Sequence, residues 1–191
     1  MVRETPLLFL VAGEASGDQL GAGLMAALLA NGPKKIKFAG IGGEKMAVFG
    51  LKSFFPMSEL SVMGLVEVLP RIPRLLVRIQ QTVNLIKRLK PTVIVTIDSP
   101  GFTFRLASRL KDDPTPIIHY VAPTVWAWKP HRAEEMASLF DHVMVLLPFE
   151  PKYFSKVGLE CTFVGHPAAL PKSGMESPVF RKKYEFGNEI I

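Results

Sequence analysis

The strand-to-helix transition that decides the fold lies at residues 7–18, which read LLFLVAGEASGD. The continuous apolar run at 7–12 is typical of a strand buried on both faces, and the following residues form a turn into a helix. Similar apolar runs recur at 36–41, 93–97, 117–121, 142–147 and 161–164. Helix-like stretches separate them, at 18–30, about 71–89, 102–111, 131–139 and 149–157. This alternation predicts an α/β fold: a Rossmann-like, mostly parallel sheet with helices on both faces.

Length and composition narrow the class of protein. The chain has 191 residues, of which 48% are hydrophobic and 21% charged. This is enough for one domain, or one and a part, and it argues against a disordered chain. The net charge of +6 favours anionic partners such as phosphorylated substrates, acidic lipid or nucleic acid. The cations are dispersed and no nucleic-acid-binding motif accompanies them, so nucleic acid is not predicted as a partner.

Cysteine content and hydropathy predict the compartment. Cys161 is the only cysteine, so no intramolecular disulfide is possible, and this fits the reducing cytosol. No stretch of about 18 apolar residues is free of charge, so any membrane contact is expected to be peripheral. After about Pro167 the pattern gives way to a Pro-, Ser- and Gly-containing stretch. We therefore expect a domain at 1–168 and a linker at 169–191 that leads towards a missing part.

The loop after the first predicted strand is a candidate ligand site, because ligands of parallel sheets bind at the carboxyl ends of the strands. Gly13 and Gly17 permit a tight turn and close approach, while backbone N–H groups at a helix start favour a phosphate or sugar. The loop lacks the spacing of a dinucleotide-binding or P-loop motif. The alternative is that Ser16 or Asp18 only caps the helix.

Asp98 directly follows the apolar run at 93–97, at the end of a predicted central strand. A carboxylate in this position can accept the proton of a substrate hydroxyl and act as a general base. The alternative is an aspartate that caps the helix starting near Phe102.

Aromatic and basic residues follow the strand predicted at 117–121. Trp126 and Trp128 lie beside Lys129, and aromatic faces next to a cation suit a sugar ring that bears an anionic group. Packing at the sheet edge is the alternative. His166, after the last predicted strand, is also predicted to bind substrate. The histidines lack the spacing of a metal site, so no metal or other cofactor is predicted.

The segment at 60–78 mixes apolar residues with arginines at 71, 74 and 78. This spacing is typical of an interfacial helix that lays an apolar face into lipid and offers arginine to phosphates. A core helix with a solvated basic face is the alternative. The residues predicted to contact membrane or acyl chains are Met63, Val66, Val68, Leu69, Arg71, Ile72, Arg74, Leu75 and Leu76.

Several motifs occur together in a fixed order between about residues 7 and 167. They are VAGEASGD at 11–18, VMGLVEV at 62–68, IDSP at 97–100, HYV at 119–121, VWAW at 125–128, LPFE at 147–150 and GHP at 165–167. The combination resembles the lipid-A-disaccharide synthase family. The resemblance implies the amino-terminal lobe of a two-lobed GT-B glycosyltransferase.

Members of that family transfer 2,3-diacylglucosamine from UDP-2,3-diacylglucosamine to the 6-hydroxyl of 2,3-diacylglucosamine 1-phosphate (lipid X). The resemblance implies inversion at the anomeric centre, release of UDP, no metal, and a peripheral location on the anionic cytoplasmic face of the inner membrane of Gram-negative bacteria. The UDP site would lie mostly in a carboxy-terminal lobe that 169–191 only begins. The chain is therefore expected to be inactive by itself.

The resemblance also implies roles for individual residues. Asp98 corresponds to the catalytic base, and residues 63–76 to the patch that docks on the membrane and admits acyl chains. The residues of the interlobe loop near the sugars are Glu14, Ser16, Gly17 and Asp18.

The sequence departs from the family pattern at two places. Gly101, Phe102 and Thr103 stand where the family commonly has an acidic residue followed by Phe-Asn, which argues against a site with two carboxylates. Lys129 stands where an arginine is frequent; the lysine keeps the positive charge but lacks the bidentate hydrogen-bonding geometry of arginine. Two other functions stay open: a non-catalytic glycolipid-binding module at the membrane, and a flavodoxin-like nucleotide binder that rests on fold analogy alone.

Overall fold

The computed structural model describes residues 5–60, 72–127 and 131–169. Its helices and strands, in chain order, are β1 (Leu7–Ala12), α1 (Ala15–Asn31), β2 (Lys37–Ile41), α2 (Glu44–Ala47), α3 (Ile72–Leu89), β3 (Val93–Ile97), α4 (Pro100–Arg109), β4 (Ile117–Tyr120), α5 (Arg132–Ala137), β5 (His142–Val145), α6 (Pro151–Ser155) and β6 (Glu160–Phe163). Short 3₁₀ turns lie at Met57–Glu59 and Pro167–Ala169. The predicted alternation of strands and helices is confirmed. The short helix α2 was not predicted.

All six strands are parallel and lie in the order β2-β1-β3-β4-β5-β6. From β1 the chain first adds β2 on one side. Helix α3 then carries the chain to the other side of β1, where β3, β4, β5 and β6 follow in order. β1 and β3 are therefore neighbours, with Ala12 opposite Ile97 at their carboxyl ends. The loops that follow these two strands belong to crossovers in opposite directions, which is the arrangement that opens a ligand crevice in parallel sheets.

Strands β1, β3 and β4 are mostly buried because helices pack on both faces of the sheet. The edge strand β6 is mostly exposed, so the prediction of a strand buried on both faces at 161–164 is wrong. Phe9 and Val11 face one apolar core together with the buried residues of α3, α4, α5 and α6. Leu8 and Leu10 face a second core formed with α1 and α2. Alternate residues of β1 thus enter different cores, which explains why this strand is continuously apolar in sequence.

The predicted domain boundary lies at the end of the described chain. β6 and the last 3₁₀ turn complete the described structure, and residues 170–191 lie outside it. The division at 168 therefore stays a prediction. In the part of the chain that the structure describes, no helix has both the length and the apolar character needed to cross a bilayer.

Candidate functional site

Asp98 and Ser99 form a sharp corner where β3 ends. Both residues have a φ of +49°, in the left-handed region that non-glycine residues rarely adopt. Val121, directly after the neighbouring strand β4, has a φ of +73°. Strained backbone of this kind concentrates at functional sites, where the surrounding structure holds it in place. The carboxyl ends of the two central strands therefore stand out as the candidate site.

Hydrogen bonds hold the Asp98 backbone, while its carboxylate stays available. The N–H of Asp98 donates to the Tyr120 carbonyl oxygen at 2.9 Å. Among the described residues, no group donates a hydrogen bond to the carboxylate, and the side chain is half-buried. Ser99, not Asp98, occupies the N-cap position of α4. The geometry therefore favours a free carboxylate over the helix-capping alternative.

Gly13 brings the loop after β1 against this corner. A Cβ atom on Gly13 would lie 2.8 Å from the Ser99 Cβ and 3.5 Å from the Leu60 Cβ. The first of these distances is too short for any real side chain, so only glycine fits. The loops after β1 and β3 therefore meet where the crossovers run in opposite directions, which is called the switch point of the sheet. The strand order predicts this meeting point.

The remaining loop residues divide into exposed and packed positions. Glu14 is half-buried at the N-cap position of α1 and Ser16 is exposed, so both can face a ligand. Gly17 is buried, and a Cβ there would lie 3.4 Å from the Ala12 Cβ and 3.5 Å from the Ile97 carbonyl oxygen. Gly17 lies where the first turn of α1 packs on the ends of β1 and β3, and because both distances are ordinary van der Waals contacts a methyl group would also fit there.

Asp18 has a structural role. Its side chain is 5% exposed, and the carboxylate accepts hydrogen bonds from the backbone N–H groups of three residues after β2. They are Gly43 at 2.8 Å, Lys45 at 3.0 Å and Met46 at 3.1 Å. Asp18 thus caps α2, and not its own helix as the capping alternative supposed. We assign it to the scaffold of the loop instead of the predicted substrate contact.

An exposed aromatic pair lies at the same edge of the sheet. Trp126, in the loop after β4, and Phe149, in the loop after β5, are each 40% exposed. Their rings meet edge to face, with centroids 5.2 Å apart and planes at 84°. Val125, next to Trp126 in the chain, is buried in the apolar core and anchors this loop to the sheet. Phe149 was not predicted as a site residue, although its position just after a predicted strand is a usable signal. Trp128 and Lys129 lie outside the described residues.

His166 lines a different depression, on the face of the sheet that α1 covers. This groove of about 390 Å³ lies between α1 and the turn after β6. Its walls are mostly apolar and include Leu20, Leu24 and Met144, with Tyr120 at the end of β4. Burial raises the pKa of the Tyr120 hydroxyl. The described lining does not include Asp98 or Trp126, so His166 is not grouped with them in one pocket.

The start of α3 presents apolar side chains to solvent. Ile72 is 37%, Leu76 39% and Val77 54% exposed, whereas Leu75 packs against the core. The exposed residues occupy neighbouring turns of the helix, and Val77 was not predicted. The other predicted membrane residues, Met63, Val66, Val68, Leu69 and Arg71, lie outside the described residues.

The arginines of this helix hold a carboxylate on the preceding 3₁₀ turn. Arg78 donates two hydrogen bonds of 2.8 Å to Glu59, and Arg74 donates one of 3.1 Å. The hydrogen bonds from Arg78, followed by the charges of both arginines, lower the pKa of Glu59 against the effect of burial. Arg74 therefore has an intramolecular partner, and its side chain is still 70% exposed.

Metal ligands do not cluster in the described part of the chain. Within residues 5–60, 72–127 and 131–169, no group of three or more His, Cys, Asp and Glu side chains could hold a metal ion.

The fold and the site together define a doubly wound α/β lobe with its ligand crevice at the switch point of a parallel sheet. The sequence profile of the family described as lipid-A-disaccharide synthetase matches residues 8–173. The chain therefore belongs to the lipid-A-disaccharide synthetase family, which confirms the resemblance seen in the motifs.

Individual relatives agree with this assignment. Proteins named lipid-A-disaccharide synthase are 54% identical over 163 residues in Rhodospirillum centenum, 48% over 181 in Ruegeria pomeroyi and 55% over 163 in Paramagnetospirillum magneticum. The matches cover 84%, 94% and 84% of this chain, respectively, and 41%, 45% and 42% of the relatives. The chain thus spans less than half the length of these relatives.

Proposed function

We propose that this chain is the acceptor-side lobe of a lipid-A-disaccharide synthase. The enzyme would transfer 2,3-diacylglucosamine from UDP-2,3-diacylglucosamine to the 6-hydroxyl of 2,3-diacylglucosamine 1-phosphate. The observation that carries the proposal is Asp98, whose carboxylate accepts no hydrogen bond from the described residues, at the switch point of a chain that belongs to this family.

In the proposed reaction the 6-hydroxyl oxygen attacks the anomeric carbon of the donor. Asp98 takes the hydroxyl proton as general base, and the bond from the anomeric carbon to the UDP oxygen breaks with its electron pair leaving on UDP. Attack opposite the leaving group inverts the anomeric centre. No metal enters this proposal.

Residues around Asp98 would bind the acceptor. Glu14 and Ser16, at the start of α1, would form hydrogen bonds with the sugars. Trp126, exposed at the same edge, would pack on a sugar face. Trp128, Lys129 and His166 stay sequence-based candidates for the same ligand, because the first two lie outside the described residues and His166 lines a different groove.

The donor site would lie in the part of the relatives that this chain does not span. Half of a cleft cannot position a UDP-sugar against the acceptor hydroxyl, so the chain should show no transfer by itself. Residues 169–191 would then be the linker and the start of that second lobe.

The membrane location is part of the same proposal. Ile72, Leu76 and Val77 expose apolar surface at the start of α3, and the chain carries a net charge of +6. Together they support peripheral binding to the anionic cytoplasmic face of the inner membrane.

Activity is best tested in a chimera of this chain with the carboxy-terminal part of the Rhodospirillum centenum relative. UDP release is followed with both diacylglucosamine substrates, and the chain alone is the first control. We expect activity only in the chimera. Asp98→Asn should lower kcat by roughly 100- to 10,000-fold. Asp112→Asn, on an exposed turn after α4, is the matched control and should keep full activity.

The outcomes separate the candidate functions. Full activity in Asp98→Asn would overturn the general-base assignment. A folded chimera that binds diacylglucosamine 1-phosphate and never releases UDP would favour the glycolipid-binding module. Binding of free mononucleotides by the chain alone would favour the nucleotide binder.

Membrane binding is tested by sedimentation with phosphatidylglycerol vesicles. Leu76→Glu and Val77→Glu should each weaken binding, because they place a charge in the apolar face of α3. Gln80→Glu, on the exposed polar part of the same helix, adds the same charge and is the control. Equal binding by all three variants would overturn the interfacial role of α3.

A further inference from the structure

Thr103 lies in the first turns of α4 and is completely buried, with 0% of its surface exposed. We propose that Thr103 is a positioning residue that aims the Asp98 carboxylate at the acceptor hydroxyl. This inference rests on the proposed function, because it gives Asp98 the role of general base.

The Thr103 hydroxyl reaches back to both residues of the strained corner. Its single hydroxyl proton is shared between two carbonyl oxygens, with Oγ1 2.9 Å from that of Asp98 and 3.0 Å from that of Ser99. The backbone N–H of Thr103 also donates to the Ser99 carbonyl oxygen at 3.0 Å. One buried side chain therefore binds the peptide groups that carry the left-handed backbone.

The backbone of Asp98 is held by hydrogen bonds at both its N–H and its carbonyl oxygen. The Tyr120 carbonyl on β4 accepts its N–H, and the Thr103 hydroxyl on α4 binds its carbonyl oxygen. The Ser99 hydroxyl is buried, has no hydrogen-bond partner within the described part of the chain, and does not contribute there. Among the described residues, Thr103 is thus the side chain whose hydrogen bonds hold this corner.

The corner determines where the carboxylate points. The direction of the Asp98 Cα–Cβ bond follows from its φ of +49°, a conformation that relaxes unless its surroundings hold it. Loss of the Thr103 hydroxyl would let the carboxylate turn away from the hydroxyl that it must deprotonate. Because Thr103 is buried, the same change should leave acceptor binding almost intact.

The test uses the active chimera and two substitutions at one position. Thr103→Val removes the hydroxyl at nearly constant volume, and Thr103→Ser keeps it. We expect Thr103→Val to lower kcat by roughly 10- to 100-fold with KM for the acceptor changed by less than about twofold. Thr103→Ser should retain most of the activity.

Thr82 provides a matched control. It is also 0% exposed, and its hydroxyl donates to the Arg78 carbonyl oxygen at 2.8 Å, within α3 and outside the proposed site. Thr82→Val should lower the thermal midpoint about as much as Thr103→Val and leave kcat unchanged. An equal fall of kcat in both variants, or an unchanged kcat in Thr103→Val, would overturn the inference.

A double variant separates this inference from the proposed function. If Thr103 acts through Asp98, then Thr103→Val should cause no further loss of kcat in the Asp98→Ala background. Losses that multiply in the double variant would overturn the positioning role and leave the general base in place. Full activity of Asp98→Ala would instead overturn the proposed function.

Discussion

The imidazole Nδ1 of His119 lies 2.8 Å from the hydroxyl oxygen of Thr96, and both side chains are completely buried. The two residues are direct neighbours on β4 and β3. Phe140 stacks on the imidazole with centroids 4.7 Å apart, and Phe104 meets its edge at 5.6 Å. Burial lowers the pKa of His119 to about 3, so the ring is a neutral part of the core.

This burial predicts a loss of stability in acid. The unfolded chain binds a proton on His119 near its usual pKa of 6.5, whereas the folded chain does so only near 3. The contribution of neutral His119 to the free energy of unfolding is therefore complete above pH 6.5. It falls by about 1.4 kcal/mol per pH unit as the pH drops towards 3. Urea unfolding of the chain and of His119→Phe, between about pH 7.5 and pH 4.5, measures the difference in slope. Identical slopes would contradict the prediction.

The contact between Gly13 and Ser99 predicts that a methyl group at position 13 is not tolerated. Gly13→Ala should lower the free energy of unfolding by about 1–3 kcal/mol, because the loops after β1 and β3 must move apart. Gly23→Ala is the matched control, since a Cβ there meets nothing within 4 Å. It lies inside α1 and should raise stability by about 0.5–1 kcal/mol. Chemical denaturation of both variants checks the opposite signs.

The cap on α2 predicts that Asp18 and Ser16 affect different properties. Asp18→Asn replaces one acceptor oxygen by a donor that faces backbone N–H groups, so unfolding should become easier by about 1–3 kcal/mol. Ser16→Ala, on the exposed side of the same turn, should change stability by less than about 0.5 kcal/mol and weaken acceptor binding. Denaturation and acceptor titration of both variants measure this. Equal stability of the two would argue against the cap.

The environment of Cys161 predicts that its thiol reacts slowly with disulfide reagents. Burial, and then the charge of Glu150, raise its pKa to about 11 from an ordinary 9.0. The thiolate fraction at mild alkaline pH should be about 100-fold lower than in the unfolded chain. Reaction with a disulfide reagent, followed with and without urea, tests this. Glu150→Gln should accelerate the folded-state reaction, and equal rates in folded and unfolded chains would refute the effect.

The strands could be predicted because a sheet buried on both faces needs continuous apolar runs, as at Val93–Ile97. The order of the strands has no such local signal, since it depends on which edges pair. Helix α2 could not be predicted either. Its four residues are too few for a periodic pattern, and a carboxylate 25 residues earlier, Asp18, caps it.

The candidate site was predictable where it follows directly from a strand end. Asp98 is such a case, because the residue after a central parallel strand must lie at the ligand edge. The role of Asp18 could not be predicted from the sequence, because its partners are backbone N–H groups, which every residue except proline has. The left-handed corner at Asp98 and Ser99 likewise arises from bonds made by Thr103 and Tyr120, which only the fold brings together.

The strand order also has a consequence for synthesis of the chain. The N–H of Leu7 donates to the Thr92 hydroxyl oxygen across 85 positions of sequence, at the start of the β1–β3 pair. Contacts this distant along the chain form slowly, so one edge of β1 stays unpaired until β3 has left the ribosome. The crevice between these strands is absent from every shorter nascent chain. Substitutions that delay this pairing should therefore first reduce the yield of soluble protein, through association of exposed β1 edges.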